Sequence, residues 1–118
     1  MKRAALIAAT LLWAATAAAE QKHGVEVYPG AKADAKVSKQ LEKMNIKDGG
    51  TYRTSDGVKK VAEFYRKQAG LKEGPATSDT GAMFTGKDVM ITIQNPWLDM
   101  DTSQKMSDTL ISIVRNKR

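Results

Sequence analysis

"SDGVKKVAEFYRKQAG", residues 55–70, carries the clearest periodicity in the chain. Val58, Val61, Ala62, Tyr65 and Ala69 recur at helical spacing and form one apolar stripe, widened by Phe64. Lys59, Lys60, Glu63, Arg66 and Lys67 fill the wet side. Lys59 with Glu63, and Glu63 with Lys67, have the spacing of i,i+4 ion pairs. Ser55 or Asp56 is placed to accept the free N–H groups of the first turn. Gly70 stands where a left-handed residue closes a helix. A helix with a single apolar face must bury it against a sheet or another helix, so its neighbours in sequence decide the fold.

Those neighbours read as strands. In "GAMFTGKDVMITIQNP" (81–96) the runs "AMFT" and "VMITIQ" flank "GKD", a hairpin in which Gly86 is expected to take the positive φ of a tight turn. Val89, Ile91 and Ile93 share one face of the second run, and Met90, Thr92 and Gln94 share the other. One face therefore meets the core and the other lies nearer water. "TLISIV" (109–114) is a last strand, expected beside "VMITIQ". Upstream, "TYRT" (51–54) and "VEVY" (25–28) are short strands, the second ended by Pro29 and turned by Gly30. "ADAKVSKQLEKMNI" (33–46) places Val37, Leu41 and Met44 on one face of a short helix, with Asp34 at its start and Asn45 near its end. The order predicts an α+β fold, an antiparallel sheet of about four to five strands with one main helix packed across one face.

The ends place the protein in the cell. Residues 1–19 have a positive start at Lys2 and Arg3, an uncharged Ala/Leu-rich run, and small residues at Ala17 and Ala19. That is the layout of a secretory signal peptide cut before Glu20, so the chain is expected in the periplasm or outside the cell. The run Ala4–Ala19 is shorter than the about 20 apolar residues that a membrane span needs, and no transmembrane segment is expected after cleavage. Residues 20–118 then form a single small domain, with 20–24 and 115–118 expected to be disordered. The chain has no cysteine, so it stands on packing without disulfides. The net charge of +6 falls to +4 once Lys2 and Arg3 leave. Basic and acidic residues are interspersed, and "RNKR" (115–118) offers a weak attraction to anionic surfaces. Nucleic acid is not an expected partner, because no basic stripe alternates with stacking aromatics.

Four short motifs, "YPGA" (28–31), "YRTSD" (52–56), "VAEFYRKQ" (61–68) and "TLISI" (109–113), together resemble a broad and mostly uncharacterised group of small secreted bacterial proteins. In that group a "YPGA" turn precedes a Y-x-T-x-D strand end, a helix with V-x-x-FY and closing β-hairpins. The resemblance covers most of residues 20–118 and implies a fold without an activity. Each motif also has a structural reading that needs no substrate: a turn, a strand-to-helix switch, and the buried face of a helix.

Chemistry is sparsely supplied. Without Cys, and with His23 alone near the start, there is neither a nucleophile–base pair nor a His/Cys zinc spacing. Two-carboxylate chemistry is the one enzymatic route left open. No catalytic activity and no cofactor are expected. "NPWLDMDTS" (95–103) looks like a calcium loop, because Asp99, Asp101 and Ser103 alternate. An EF-hand would then need Gly sixth and Glu twelfth, where Gln104 and Leu110 stand. Binding of a small ligand or a cation in the 95–108 loop, the cation through Asp99, Asp101 and Asp108, is the alternative. Trp97 either closes one end of the core or stands out as an aromatic contact for a partner. The expectation is a non-catalytic domain that binds a protein or envelope component. Its contacts would be the sheet face of Met90, Thr92 and Gln94, or the loop of Trp97, Asp99 and Asp101. "VEVY", if an uncovered edge, would be open to pairing with another chain.

Overall fold

The computed structural model describes residues 20–115. The expected leader 1–19 and residues 116–118 lie outside that range. The elements, in order, are β1 (Gln21–Lys22), β2 (Val25–Glu26), β3 (Lys32–Ala33), α1 (Ala35–Lys43), β4 (Gly50–Thr54) and α2 (Val58–Arg66). Then come β5 (Lys72–Glu73), β6 (Gly81–Gly86), β7 (Val89–Gln94), β8 (Trp97–Leu98), β9 (Lys105–Met106) and β10 (Thr109–Arg115).

Six strands form one antiparallel sheet in the order β3-β4-β10-β7-β6-β5. The last strand lies at its centre, with Ile111 opposite Tyr52 on one side and Ile93 on the other. The fold is α+β as expected, but the sheet has six strands, and two helices pack against it on opposite faces. The extra strands are β3 and β5, two residues each, too short to show any alternation in sequence.

The period of two in the long strands sets the layers. Ile91, Ile93, Ile111, Ile113 and Phe84 point to one face and are fully buried beneath Val58, Val61, Ala62 and Tyr65 of α2. Each such large side chain contributes about 1.5–3 kcal/mol of transfer free energy. The other face carries Leu110, which packs with Val37 of α1 and with Trp97. The α1 helix begins as expected, with the Asp34 carboxylate accepting the Val37 N–H at 3.1 Å.

The four quoted motifs meet at one point. Tyr28-Pro29-Gly30-Ala31 is a turn in which Gly30 has φ +85° and the Ala31 N–H reaches the Tyr28 carbonyl, the geometry that wants Pro second and Gly third. The Tyr28 hydroxyl donates to the Asp56 carboxylate at 2.6 Å, and its backbone N–H donates to the Tyr65 hydroxyl at 3.0 Å. Its ring meets Phe64 edge-on, with centroids 5.4 Å apart. Thr109, first residue of β10, donates its hydroxyl to the Asp56 carbonyl.

Several local expectations are corrected. Residues 21–26 form a short hairpin whose two-residue turn is His23-Gly24. His23 and Gly24 both have positive φ, as such turns require, and the His23 ring nitrogen lies 2.7 Å from the Asp48 carbonyl. The "VEVY" segment is no bare edge: β2 pairs with β1 on one side, and on the other the Glu26 and Tyr28 N–H groups donate to the Gln68 and Tyr65 side chains. At the other end, Arg115 lies in β10 opposite Val89. Helix α2 is capped by Gly57 without a side-chain bond, because Asp56 is held by Tyr28 and Lys60. It ends at Arg66, leaving Ala69 exposed, and Gly70 has φ +86° beyond it. Lys59 pairs with Asp79 at 3.0 Å and Arg66 with Glu73 at 2.7 Å, so the pairs through Glu63 do not form. In the β6–β7 turn the positive φ belongs to Asp88. Gly86 is needed for a different reason: a Cβ there would meet Leu71, Val89 and the Gly70 carbonyl at 2.9–3.1 Å.

Candidate binding groove

The stretch 95–108 is a second small hairpin. Strands β8 and β9 pair with Met106 opposite Trp97 and Lys105 opposite Leu98. Asp99 builds the turn between them. Its carboxylate accepts the N–H groups of Asp101 and Thr102, and its backbone bonds Ser103 and Gln104. The same carboxylate accepts from Gln40 Nε2 and Lys36 Nζ, both at 3.2 Å, which ties the hairpin to α1. Burial alone would raise the pKa of Asp99. The Asp101 N–H, Lys36, the Thr102 N–H and Gln40 outweigh it and hold the group below the usual aspartate range.

Trp97 faces inward. It is 4% exposed, its indole N–H donates to Asp108 at 2.9 Å, and it packs with Val37 and Leu110. Arg53 lies over its ring, 5.2 Å from the centroid. The guanidinium also donates to Asp108 at 2.8 Å and to Asp34 at 3.3 Å. The Asp108 bond raises the Arg53 pKa against the lowering effect of burial, and Asp34 adds to it. Strand β4, the α1 cap and the 95–108 hairpin are thus joined through one cation.

These contacts correct the expected site. Trp97 closes the core, the first of its two expected readings, and does not stand out as an exposed aromatic. Asp99 and Asp108 spend their carboxylates inside the protein, and only Asp101 of the three stands exposed. Among the described residues no group of three or more His, Asp or Glu side chains is arranged to hold a metal ion. The hollow of about 440 Å³ around Gly30, Lys32, Asp34, Arg53, Ser55 and Asp108 is bordered by charged side chains, but its Arg53 is already paired with both Asp34 and Asp108.

The structure instead opens a groove between α1 and the 97–106 hairpin. It holds about 290 Å³, with Trp97, Leu110 and Val37 along its floor and Gln94 and Ser112 along the sheet side. Its rim is apolar. Met44, Leu98 and Met100 are 51%, 58% and 60% exposed, and they are three of the four most exposed large hydrophobic side chains among the described residues. The fourth, Met83, lines an adjoining apolar hollow of about 250 Å³ with Thr92 and Gln94. Gln94 borders both. No charged side chain lines either one.

The expected face of Met90, Thr92 and Gln94 is therefore half open. Thr92 stands between Met83 and Ser112 across the sheet, and α1 covers only the β4–β10 side. Leu98 and Met44 were not among the expected contacts. Met44 continues the helical stripe of Val37 and Leu41, which reads as core. Leu98 follows a buried Trp97, and only the two-residue alternation of a strand turns it outward.

No protein-family model, curated protein or solved structure matches the chain.

Proposed function

We propose that the protein is a non-catalytic binding domain of the cell envelope whose groove between α1 and the 97–106 hairpin receives an apolar envelope component or protein segment. One observation carries this reading. Three large apolar side chains that water would normally drive inward, Met44, Leu98 and Met100, ring a single opening. Scattered exposed apolar residues need no explanation, but a contiguous rimmed cluster marks an interaction site. Methionine suits such a rim, because its flexible thioether chain adapts to differently shaped ligands. The signal-like residues 1–19 and the resemblance of the motifs to a group of small secreted proteins support a place outside the cytoplasm. No helix among the described residues is long and apolar enough to cross a membrane.

The test compares capture from a native envelope fraction by the wild-type protein and by a Leu98→Asp, Met100→Asp variant. Both side chains are more than half exposed, so the variant keeps its melting temperature. Material retained by the wild type and lost by the variant is the expected result. Equal retention by both overturns the reading.

A further inference from the structure

We infer that the occupant of this rim is the surface of an anionic lipid bilayer, an inference that rests on the groove being the binding site. The apolar residues do not stand alone. Lys43 directly precedes Met44, and Lys105 is the cross-strand partner of Leu98, so it lies beside Leu98 on the outward face of the hairpin. Lys36, seven residues before Lys43, falls on the same flank of α1. All three are exposed. Lys36 is spent on Asp99 at 3.2 Å, so Lys43 and Lys105 are the cations left to face a headgroup, against Asp101 as the exposed acid beside them. Apolar side chains that insert are thus flanked by lysines that stay at headgroup level, the two signals of interfacial attachment.

Long-range charge points the same way. The chain carries +6 overall, and +4 once Lys2 and Arg3 are left out. An anionic surface therefore attracts it before contact, within a Debye length of about 8–10 Å. A protein partner is a poorer match. Protein interfaces are anchored by rigid aromatic side chains seated in shaped pockets. Here Tyr28, Tyr52, Tyr65, Phe84 and Trp97 are buried, and the rim offers only flexible Met and Leu. Acyl chains need apolarity without shape, which this rim supplies.

The test is sedimentation of the protein, purified from cells as they process it, with vesicles of phosphatidylcholine alone or mixed with phosphatidylglycerol. Partitioning is expected to be stronger on the mixed vesicles and to weaken as salt is raised. Each of Lys43→Glu and Lys105→Glu lowers it by roughly fivefold or more, whereas Lys67→Glu on the opposite side leaves it within twofold. Leu98→Asp lowers it by about tenfold or more. A second measurement does not depend on these variants. A nitroxide on Met100→Cys gains accessibility to dissolved oxygen when mixed vesicles are added, and one on Lys67→Cys does not. Equal partitioning on neutral and mixed vesicles, or a label at 100 that stays aqueous, overturns the bilayer inference. If rim-dependent capture of an envelope protein persists in that case, the groove remains the binding site with a protein occupant. If capture is also lost, both readings fall.

Discussion

The Tyr28 hydroxyl donates to the Asp56 carboxylate across 2.6 Å, while the Tyr28 N–H is taken by the Tyr65 hydroxyl at 3.0 Å. One residue of the "YPGA" turn thereby locks the strand-to-helix switch and the buried face of α2. Burial first, and the neighbouring Asp56 second, push the Tyr28 phenol up to about 12. Burial also raises Tyr65. Both phenols start from 10.0 when free. Below that pH the folded and unfolded chains are alike and these groups do not change stability. Above it the unfolded chain ionises first, so stability falls as pH rises from about 10 towards 12. Denaturant titrations across that range should show this loss in the wild type and a shallower one in Tyr28→Phe. At neutral pH, Tyr65→Phe leaves the Tyr28 N–H buried without an acceptor and costs about 1–3 kcal/mol.

Acid should loosen the hairpin. The lowered pKa of Asp99 means that its contribution is complete above the ordinary aspartate value of about 3.9 and is lost as pH falls below it. Glu73, lowered to about 2 by Arg66 and Thr77, acts in the same direction. It is solvent-exposed, so salt screens its share. Asp99→Asn keeps the shape but gives up the charge facing Lys36. Its stability should be lower than that of the wild type at neutral pH, and the two curves should converge as the pH falls through the aspartate range. Parallel curves throughout would contradict this.

Trp97 and Arg53 hold the floor of the groove. Trp97→Ala empties a buried site and should cost about 3–5 kcal/mol in chemical denaturation. Trp97→Phe keeps an aromatic ring but gives up the N–H to Asp108, with a loss of about 1 kcal/mol. Trp97 is the sole tryptophan outside residues 1–19. In a chain begun at Glu20 its emission should be blue-shifted and poorly quenched by iodide, and a readily quenched spectrum would contradict its buried position.

Two glycines make opposite predictions. Gly86→Ala forces a Cβ to within 2.9–3.1 Å of Leu71, Val89 and the Gly70 carbonyl, and overpacking of this kind costs about 1–3 kcal/mol. Gly57 has an extended backbone at the α2 cap, with open space where a Cβ would stand. Gly57→Ser supplies the missing side-chain cap and should stabilise by a few tenths of a kcal/mol. The pair of melting temperatures, one lowered and one slightly raised, checks both.

What could be read from the sequence was periodicity. The stripe of Val58, Val61, Ala62 and Tyr65 and the alternation of Val89, Ile91 and Ile93 gave the main helix, the sheet and its buried face. What could not be read was set by contacts between distant residues. Gln40 is buried on a polar helix position because Asp99, far along the chain, accepts its amide. Asp56 has the sequence position of a helix cap, yet Tyr28 claims its carboxylate. The strand pairs 21–26 and 97–106 are too short for any repeat to mark them. Of the expected contacts, Gln94 borders the groove and Trp97 forms its floor, while its exposed rim at Met44 and Leu98 appears only once α1 and the hairpin stand side by side.

The most direct measurement is in-cell photocrosslinking from a benzophenone side chain placed at Leu98, on the groove rim, or at Glu63, on the exposed side of α2. The groove account predicts crosslinks to envelope components from position 98, lost when Met44 and Met100 are both replaced by Asp, and few from position 63. Equal crosslinking from the two positions would contradict it.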